Sequence, residues 1–338
     1  MASVAFAERK DLLKAYLGRE IEKLVFAELS EEFCAANDMG YMIGIPVPFS
    51  AEDLLGSQRE GGLDVTRISD NMVMVIGADT GFRYRDEYLE FLVSFFSPDK
   101  LLQVLLSHAA SAMRERRFRT ACVYHRAALL LDDEDVNALF GYACCCREWY
   151  LSLEGEDEEE LIALLKSEAN LFFEYTADAD DSFAPAWYYL GYAYLNAGSY
   201  KKAELAWERF LRLSDDPESE PVKDVKERME SLIDPVKIEE GVNLLAAGYL
   251  EQGIDVLRPY EDTNFDNWWP LHFYLAGAYD ELGMTELAIE EYERTAALSP
   301  SNTDVYDALA RLYAECGRAD MAEKYMNKSQ LLKEGQDQ

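Results

Sequence analysis

Residues 184–207 read Ala184-Pro-Ala-Trp-Tyr-Tyr-Leu-Gly-Tyr-Ala-Tyr-Leu-Asn-Ala-Gly-Ser-Tyr-Lys-Lys-Ala-Glu-Leu-Ala-Trp207, and this stretch decides the fold. The small residues Gly191 and Ala203 allow two antiparallel helices to approach closely, while the large residues between them fill the space to a neighbouring pair. Gly198 suits the tight turn between two helices, where a positive φ is often needed. The stretch therefore predicts a helix-turn-helix unit.

The same arrangement of large and small residues begins again at Trp269 and at Thr303, a step of 34 residues. Matching positions are Leu275/Leu309, Ala276/Ala310, Tyr279/Tyr313, Gly283/Gly317 and Ala288/Ala322. A period of this length is typical of stacked helical pairs, each too small to bury its apolar face alone. Three clear repeats are predicted, at 184–217, 269–302 and 303–336.

The first of these repeats carries a Trp-x-x-Leu-Gly-x-x-Tyr core. Its members are Trp187, Leu190, Gly191 and Tyr194, followed by Gly198, Tyr200, Ala203 and Trp207 at the expected offsets. With this pattern the chain resembles the tetratricopeptide repeat family. The resemblance implies a mainly α fold, an α-solenoid, that acts as a non-enzymatic adaptor or scaffold for partner proteins.

Degenerate copies of the pattern are predicted at 102–135, 134–180 and 234–267, and the array over residues 86–338 is predicted to hold about five complete repeats. In the first copy, arginines between positions 114 and 119 replace the usual turn glycine. The acidic run 154–160 is interpreted as a solvated insertion and helix start, since no ordered ligand spacing indicates a cation site. Residues 214–234 are interpreted as a connector with a short helix of its own.

Residues 1–85 predict a small α/β unit, which we assign to no family. Helical periodicity runs from Phe6 to Leu29, whereas 40–49 and 71–77 have the character of short buried strands. A helix over 86–97 leads into the repeats. The segment 77–81 lacks the Gly-Lys-Ser/Thr ending of a phosphate loop, so a hairpin or strand-to-helix turn is expected there.

Composition narrows the classes of partner. The chain has 338 residues, 49% of them hydrophobic, and 65 acidic against 32 basic residues give a formal net charge of -33. This balance argues against nucleic acid, because phosphate binding needs clustered Lys and Arg. It favours either general solubility or attraction of basic segments.

Nothing in the sequence has the pattern of a transmembrane or secretory segment, so a cytoplasmic protein that binds no membrane is expected. The opening residues reach charged positions at Glu8 without a long apolar core. Six cysteines include the run 144–146, whose successive side chains point about 100° apart and do not suit a disulfide framework.

Catalytic and metal constellations have few candidates. The histidines His108, His125 and His272 are interpreted as structural, and no nucleophile elbow or zinc motif is present. Cys122, His125 and the cysteine run offer a possible metal set, but cysteine is also a good small core residue. The prediction is no enzyme, no cofactor and no metal. The alternative is an enzymatic or small-ligand activity in the N-terminal unit, regulated or targeted by the repeats.

The family resemblance also implies a binding groove, lined by the first helix of each pair. The corresponding positions are Tyr188, Tyr192, Leu195, Asn196, Phe273, Gly277, Asp280, Glu281, Asp304, Asp307, Arg311 and Glu315. The expected ligand is a helix or extended peptide that is apolar with basic residues. The Lys, Asn and Arg residues with which some relatives grip a chaperone's C-terminal carboxylate are absent. An alternative for the two tyrosines is packing between neighbouring helices.

The last predicted helix has an apolar side that could be covered by its own residues or by another chain. Met321, Tyr325, Leu331 and Leu332 are expected to stay partly exposed, because no further polar helix follows. Either the helix caps itself with Lys324, Asn327 and Lys328, or it meets another chain, a homodimer being one possibility.

Overall fold

The computed structural model describes residues 6–51, 65–155 and 158–336 of the chain. Within these ranges the fold is mainly α, with 16 α-helices and a single two-stranded sheet. The chain divides into two compact units, residues 1–193 with 212–215, and residues 194–211 with 216–338. No helix of the described ranges is at once long enough and apolar enough to cross a membrane. The predicted domain boundary at residue 85 stays a prediction.

The start of the chain is less helical than its periodicity predicts. Helix α1 is only Lys14–Leu17, and strand β1, Val25–Glu28, follows it. After α2, Glu31–Ala36, strand β2, Pro46–Phe49, pairs antiparallel with β1, with Val25 opposite Phe49. The predicted helix from Phe6 to Leu29 is therefore wrong over most of its length. The β-branched and aromatic residues at its end favour the strand that pairs with β2.

The second predicted strand, 71–77, is also wrong, because these residues lie within helix α3, Val65–Ala78. This helix is buried on several sides (Ile68, Met72, Val73, Val75 and Ile76) and packs against the later helix Phe118–Leu131. Apart from Asn71, residues 71–77 are an unbroken apolar run, and so short a run does not distinguish a buried strand from a buried helix. Residues 77–81 accordingly join two helices, and no strand enters this turn; the second helix is α4, Arg85–Phe95.

Six successive helical pairs follow in the described residues, where about five repeats are predicted. Their bounds are α5 Pro98–Arg114 and α6 Phe118–Leu131, α7 Val136–Leu151 and α8 Glu159–Ala179, α9 Ala184–Asn196 and α10 Tyr200–Leu213, α11 Glu220–Ala246 and α12 Leu250–Leu257, α13 Trp269–Glu281 and α14 Thr285–Leu298, and α15 Thr303–Glu315 and α16 Ala319–Gln336. Residues 156 and 157 of the predicted acidic insertion lie outside the described ranges, and α8 begins where that run ends.

Five of the turns within these pairs share one hydrogen-bond pattern. A residue with positive φ ends the first helix, and the next residue donates its backbone N–H to the carbonyl five positions earlier. The positive φ values lie at Arg116, Gly198, Gly248, Gly283 and Gly317. This Schellman arrangement satisfies the last carbonyls of a helix. Arg116, at φ 57°, therefore takes the place of the turn glycine in the first degenerate repeat.

Helix α11 corrects the predicted connector. Residues 214–234 were expected to carry a short separate helix, but α11 continues through Pro235 for 27 residues. Its buried side, including Val225, Leu232 and Val236, stays on one apolar stripe across the proline, which holds the helix together. Two short 3-10 segments, Arg258–Asp262 and Asn264–Asn267, then fill the space between α12 and α13.

The last two pairs share one hydrophobic core. Leu271 and Leu275 of α13 are fully buried with Ala288 of α14 and with Val305 and Leu309 of α15. Since the apolar residues of α13 and α15 face this core, their remaining positions are left for a surface. These positions include the predicted groove residues from 277 to 315, whereas Phe273 is partly buried against the core.

Candidate functional site

An ion-pair bridge joins the first helices of the last two pairs. The Asp280 carboxylate on α13 accepts a hydrogen bond from the Arg311 guanidinium on α15, and Arg311 also donates to Glu315 at 3.2 Å. Asp280 raises the pKa of Arg311 through this bond. Three predicted groove positions therefore lie together on one surface, as the repeat register requires. Glu281, one residue further along α13, is exposed.

The other end of α13 is aromatic. Phe273 is half-buried, and its ring centroid lies 6.0 Å from the ring centroids of both Trp269 and Tyr292. Trp268, Trp269 and Tyr274 beside it are 41%, 36% and 39% exposed. We call Trp268, Trp269, Phe273 and Tyr274 the aromatic patch. Only Phe273 was predicted as a groove residue; the Trp268-Trp269 pair before a proline was the signal available in the sequence.

Gly277 lies between the aromatic patch and the carboxylates of α13. A Cβ atom added there would have the Tyr292 hydroxyl as its nearest neighbour, at 3.9 Å. The position is half-buried, in ordinary contact only, and its surface side is unobstructed. This glycine therefore leaves a shallow opening on α13.

Asp307 of α15 contacts α16, the second helix of the same pair. Its carboxylate accepts hydrogen bonds from Lys333 Nζ and Ser329 Oγ of α16, each at 2.7 Å. These bonds, that of Lys333 first, lower the pKa of Asp307. Asp307 thus anchors α16 to α15, whereas Asp304 at the start of α15 is exposed.

Two of the four predicted groove residues of α9, Tyr188 and Tyr192, belong to a local aromatic group. Tyr188 and Tyr192 are half-buried, and their ring centroids are 5.2 Å apart in an edge-to-face arrangement. Tyr189, between them, stacks on Phe173 of α8 at 4.9 Å. Leu195 is half-buried and Asn196 is exposed. Both tyrosines therefore have aromatic packing partners while keeping part of their surface accessible.

The final helix covers part of its own apolar face. Tyr325 of α16 stacks on Tyr313 at 5.6 Å and on Tyr306 at 6.2 Å. Lys324 lies over the ring of Tyr325 and Lys328 over that of Tyr306. These contacts agree with the self-capping alternative for two of its three residues, and Asn327 is exposed. Met321 and Leu332 are partly covered, but Met326 and Leu331 remain 58% and 67% exposed.

Family models of the tetratricopeptide repeat match residues 184–217 and 303–335. The chain contains tetratricopeptide repeats. No curated protein sequence matches it. The two matched repeats support a role in protein interaction, and folds of this type are generally non-enzymatic scaffolds.

Solved structures similar to this tetratricopeptide repeat protein include MamA from Desulfovibrio magneticus RS-1, at 18% identity over 58% of this chain and 97% of that one, with a TM-score of 0.35. Another crystal structure of MamA covers 55% of this chain and 98% of its own at 20% identity, with a TM-score of 0.33. YrrB, described as a TPR protein with an unusual peptide-binding site, covers 62% and 91% at 16% identity, with a TM-score of 0.31. At such scores the family assignment depends on the two matched repeats alone.

Cys122, Cys145, Cys146 and His125 of this repeat protein are all buried. Burial raises the pKa of the Cys122, Cys145 and Cys146 thiols. Burial also lowers the pKa of His125 to about 4. The His125 ring lies directly against Gly141, where a Cβ atom would be 2.1 Å from Cε1. His125 is thus a neutral packing residue, as interpreted from the sequence.

His272, interpreted from the sequence as structural, has polar surroundings that the repeat pattern does not predict. The ring is 1% exposed, its Nδ1 atom lies 2.7 Å from Glu291 Oε2, and its Nε2 atom lies 2.7 Å from the Asp266 carbonyl oxygen. Arg294 Nη1 is 2.9 Å from Glu261 Oε1 and 3.4 Å from Glu291 Oε1. Burial, and then the nearby Glu291, raise the pKa of Glu261. We call Glu261, His272, Glu291 and Arg294 the His272 cluster.

Proposed function

We propose that this tetratricopeptide repeat protein is an adaptor that binds a segment of a partner protein on the surface of α13 and α15. One observation supports the proposal above the others. Trp269, Phe273, Gly277 and Asp280 recur at intervals of four, four and three residues, which places them along one face of α13. That face runs from the aromatic patch to the bridge with Arg311.

The two ends of this face have complementary chemistry. Tryptophan and tyrosine supply a large contact area with few side-chain torsions to immobilise, which is why they recur at the energetic centres of interfaces. Asp280, Glu281 and Glu315 outnumber Arg311 at the other end, and the formal net charge of -33 adds long-range attraction for cations. The expected ligand is a helix or extended peptide with an apolar anchor followed by basic residues.

Tyr188 and Tyr192 of α9 are the second candidate contact, with Leu195 and Asn196. Their half-buried rings offer an aromatic face to a cation or an apolar side chain. Packing within the repeat explains their positions equally well. Variants of these tyrosines are therefore kept separate from variants of α13.

Gly277 provides a clean test of the α13 surface. Gly277→Lys should preserve the fold and block the opening with a long cationic side chain, whereas Gly277→Ala fills little space. We would select peptides from a displayed random library on each protein and compare the enriched sequences. Wild type and Gly277→Ala should enrich the same apolar and basic peptides, and Gly277→Lys should lose them.

Circular dichroism of all three proteins provides the folding control. Since glycine lowers helix stability relative to alanine, Gly277→Ala should be more stable by about 0.5–1 kcal/mol. Selection of peptides that bind Gly277→Lys as well as wild type would place the binding surface elsewhere. No enrichment on any of the folded proteins would contradict peptide binding itself.

A second copy of the chain is a further candidate partner, at the exposed side of α16. Met326 and Leu331 are the apolar residues available there. If they form a dimer contact, Leu331→Glu should convert a concentration-dependent dimer to a monomer in analytical ultracentrifugation. A wild-type monomer at high concentration would exclude this contact.

The proposal also includes a cytoplasmic location. The described cysteines are all free thiols, as is usual in a reducing compartment.

A further inference from the structure

Two short contacts fix the orientation of the His272 ring. The Asp266 carbonyl oxygen can only accept a hydrogen bond, so the Nε2 atom 2.7 Å away carries a hydrogen. The Nδ1 atom, on the other side of the ring, lies 2.7 Å from Oε2 of Glu291.

Glu261 adds a second carboxylate to this position. It comes from the 3-10 segment Arg258–Asp262, whereas His272 and Glu291 come from α13 and α14. One ligand atom from each of the three side chains lies within 4.8 Å of the other two. Among the described residues, this is the one set of three or more His, Cys, Asp or Glu side chains that converges so closely.

We propose that the His272 cluster binds a divalent first-row transition-metal ion such as Zn²⁺, through the Nδ1 atom of His272 and the carboxylates of Glu261 and Glu291. One imidazole nitrogen with two carboxylate oxygens is a donor set suited to Zn²⁺, Co²⁺ or Mn²⁺. The hydrogen bond from Nε2 to a backbone carbonyl is the outer contact that commonly fixes the ring of a metal-binding histidine.

The cluster is accessible from one side. A cavity of about 630 Å³ is lined by Glu261 and His272, together with Arg258, Asp262, Asp266 and Arg294. An ion and its remaining water ligands can enter from this side, because a three-residue site leaves at least one coordination position open. Arg294 provides the competing positive charge when no metal is bound.

His272 also determines which metal ions the proposed site prefers. Mg²⁺ and Ca²⁺ prefer sites built from oxygen alone, so a nitrogen ligand discriminates against them. The 65 acidic residues of the chain will hold such hard ions loosely over the whole surface. Any test therefore has to be made with Mg²⁺ in large excess.

Isothermal titration of the full chain with Zn²⁺, in excess Mg²⁺, tests the proposal. We expect one Zn²⁺ per chain and, from titrations in two buffers of different ionisation enthalpy, the release of a proton. Co²⁺ should give visible absorption bands of a bound ion with a nitrogen ligand. Glu261→Gln should weaken Zn²⁺ binding at least about tenfold, and His272→Gln should abolish the Co²⁺ bands.

Glu290→Gln is the matched control. Glu290 lies beside Glu291 on α14 and also contacts Arg294, at 3.3 Å, but it is not one of the three proposed ligands. This variant should keep the Zn²⁺ affinity of wild type. Because His272→Gln removes a buried partner and could unfold α13, Glu261→Gln, at a half-buried position, is the deciding variant.

Absence of stoichiometric Zn²⁺ binding to the folded wild type would overturn the proposal. Equal weakening by Glu290→Gln and Glu261→Gln would overturn it as well, since it would indicate general attraction by surface carboxylates. The inference does not depend on peptide binding at α13. Either proposal can fail while the other holds.

Discussion

Two buried histidines show how differently the two parts of this repeat protein are built. The buried ring of His125 lies against Gly141, and its Nδ1 atom has no hydrogen-bond partner. His272 is equally inaccessible, yet both of its nitrogens are bonded and two carboxylates converge on it. Burial of a histidine is therefore uninformative by itself. The hydrogen-bond partners of a buried histidine distinguish one that only packs, as His125 does, from one that holds a polar cluster together, as His272 does.

Replacing each of the two histidines with leucine should give the largest difference in unfolding free energy between the two regions. His272→Leu leaves the buried Glu291 carboxylate without its imidazole and the Asp266 carbonyl without its donor, so a loss of about 3 kcal/mol is expected. His125→Leu removes no polar contact of Nδ1 and should change the free energy of unfolding by less than about 1 kcal/mol at neutral pH.

Urea denaturation followed by circular dichroism measures both variants under identical conditions. Similar losses for His125→Leu and His272→Leu would contradict the distinction between the two regions. The slope of the unfolding free energy against urea concentration serves as the control, because a changed slope would indicate a different unfolded state rather than a lost contact.

Acid should destabilise the core around His125. The pKa of this histidine falls from 6.5 to about 4 on folding. Between these values the unfolded chain binds more protons than the folded one, so stability decreases as the pH falls from 6.5 and the loss is complete near pH 4. The expected loss is about 3 kcal/mol for the single residue.

The measurement compares wild type with His125→Leu across this pH range, since other groups titrate in both proteins. The difference in unfolding free energy should move in favour of His125→Leu as the pH falls. A difference that is independent of pH would show that His125 does not have the lowered pKa.

A smaller effect is expected from the glycine that holds the His125 ring. Gly141→Ala introduces a Cβ atom 2.1 Å from Cε1 of His125, and relieving this overlap should cost about 1–3 kcal/mol. The double variant with His125→Ala removes the obstructing ring and should recover part of the loss in a double-mutant cycle. Additive losses in the cycle would mean that the ring is not what obstructs the new methyl group.

Much of the fold follows from the sequence because the repeats combine periodicity with a turn signal. Residues 184–217 and the 34-residue step give the later helical pairs correctly, and Gly198, Gly283 and Gly317 lie at the turns. Residues 71–77 of helix α3 resemble a strand in sequence because 72–76 are apolar without a break, whereas the polar positions Arg67 and Asp70 come before them. The sequence does not predict that one helix continues through Pro235. Tertiary packing on both sides of the proline outweighs the local cost of placing it inside a helix.

Part of the candidate site can be predicted in the same way. The repeat register brings Asp280 and Arg311 to equivalent sides of neighbouring helices, where they pair. The His272 cluster cannot be found by register, because Glu261 comes from the irregular segment 258–267. The aromatic patch begins before α13, at Trp268, where the repeat pattern specifies nothing.

The stacked tyrosines of the last pair have a consequence for how the chain finds its correct pairing. Tyr306 and Tyr325 occupy the positions that His272 and Glu291 occupy 34 residues earlier. Neighbouring hairpins of a repeat protein are similar enough to exchange helices during folding. If α13 paired with α16, His272 would face a tyrosine ring and Glu291 would lose its imidazole. The second helices of these two pairs, α14 and α16, are thus each chemically matched to their own first helix, and an exchanged pair would bury a polar group without a partner.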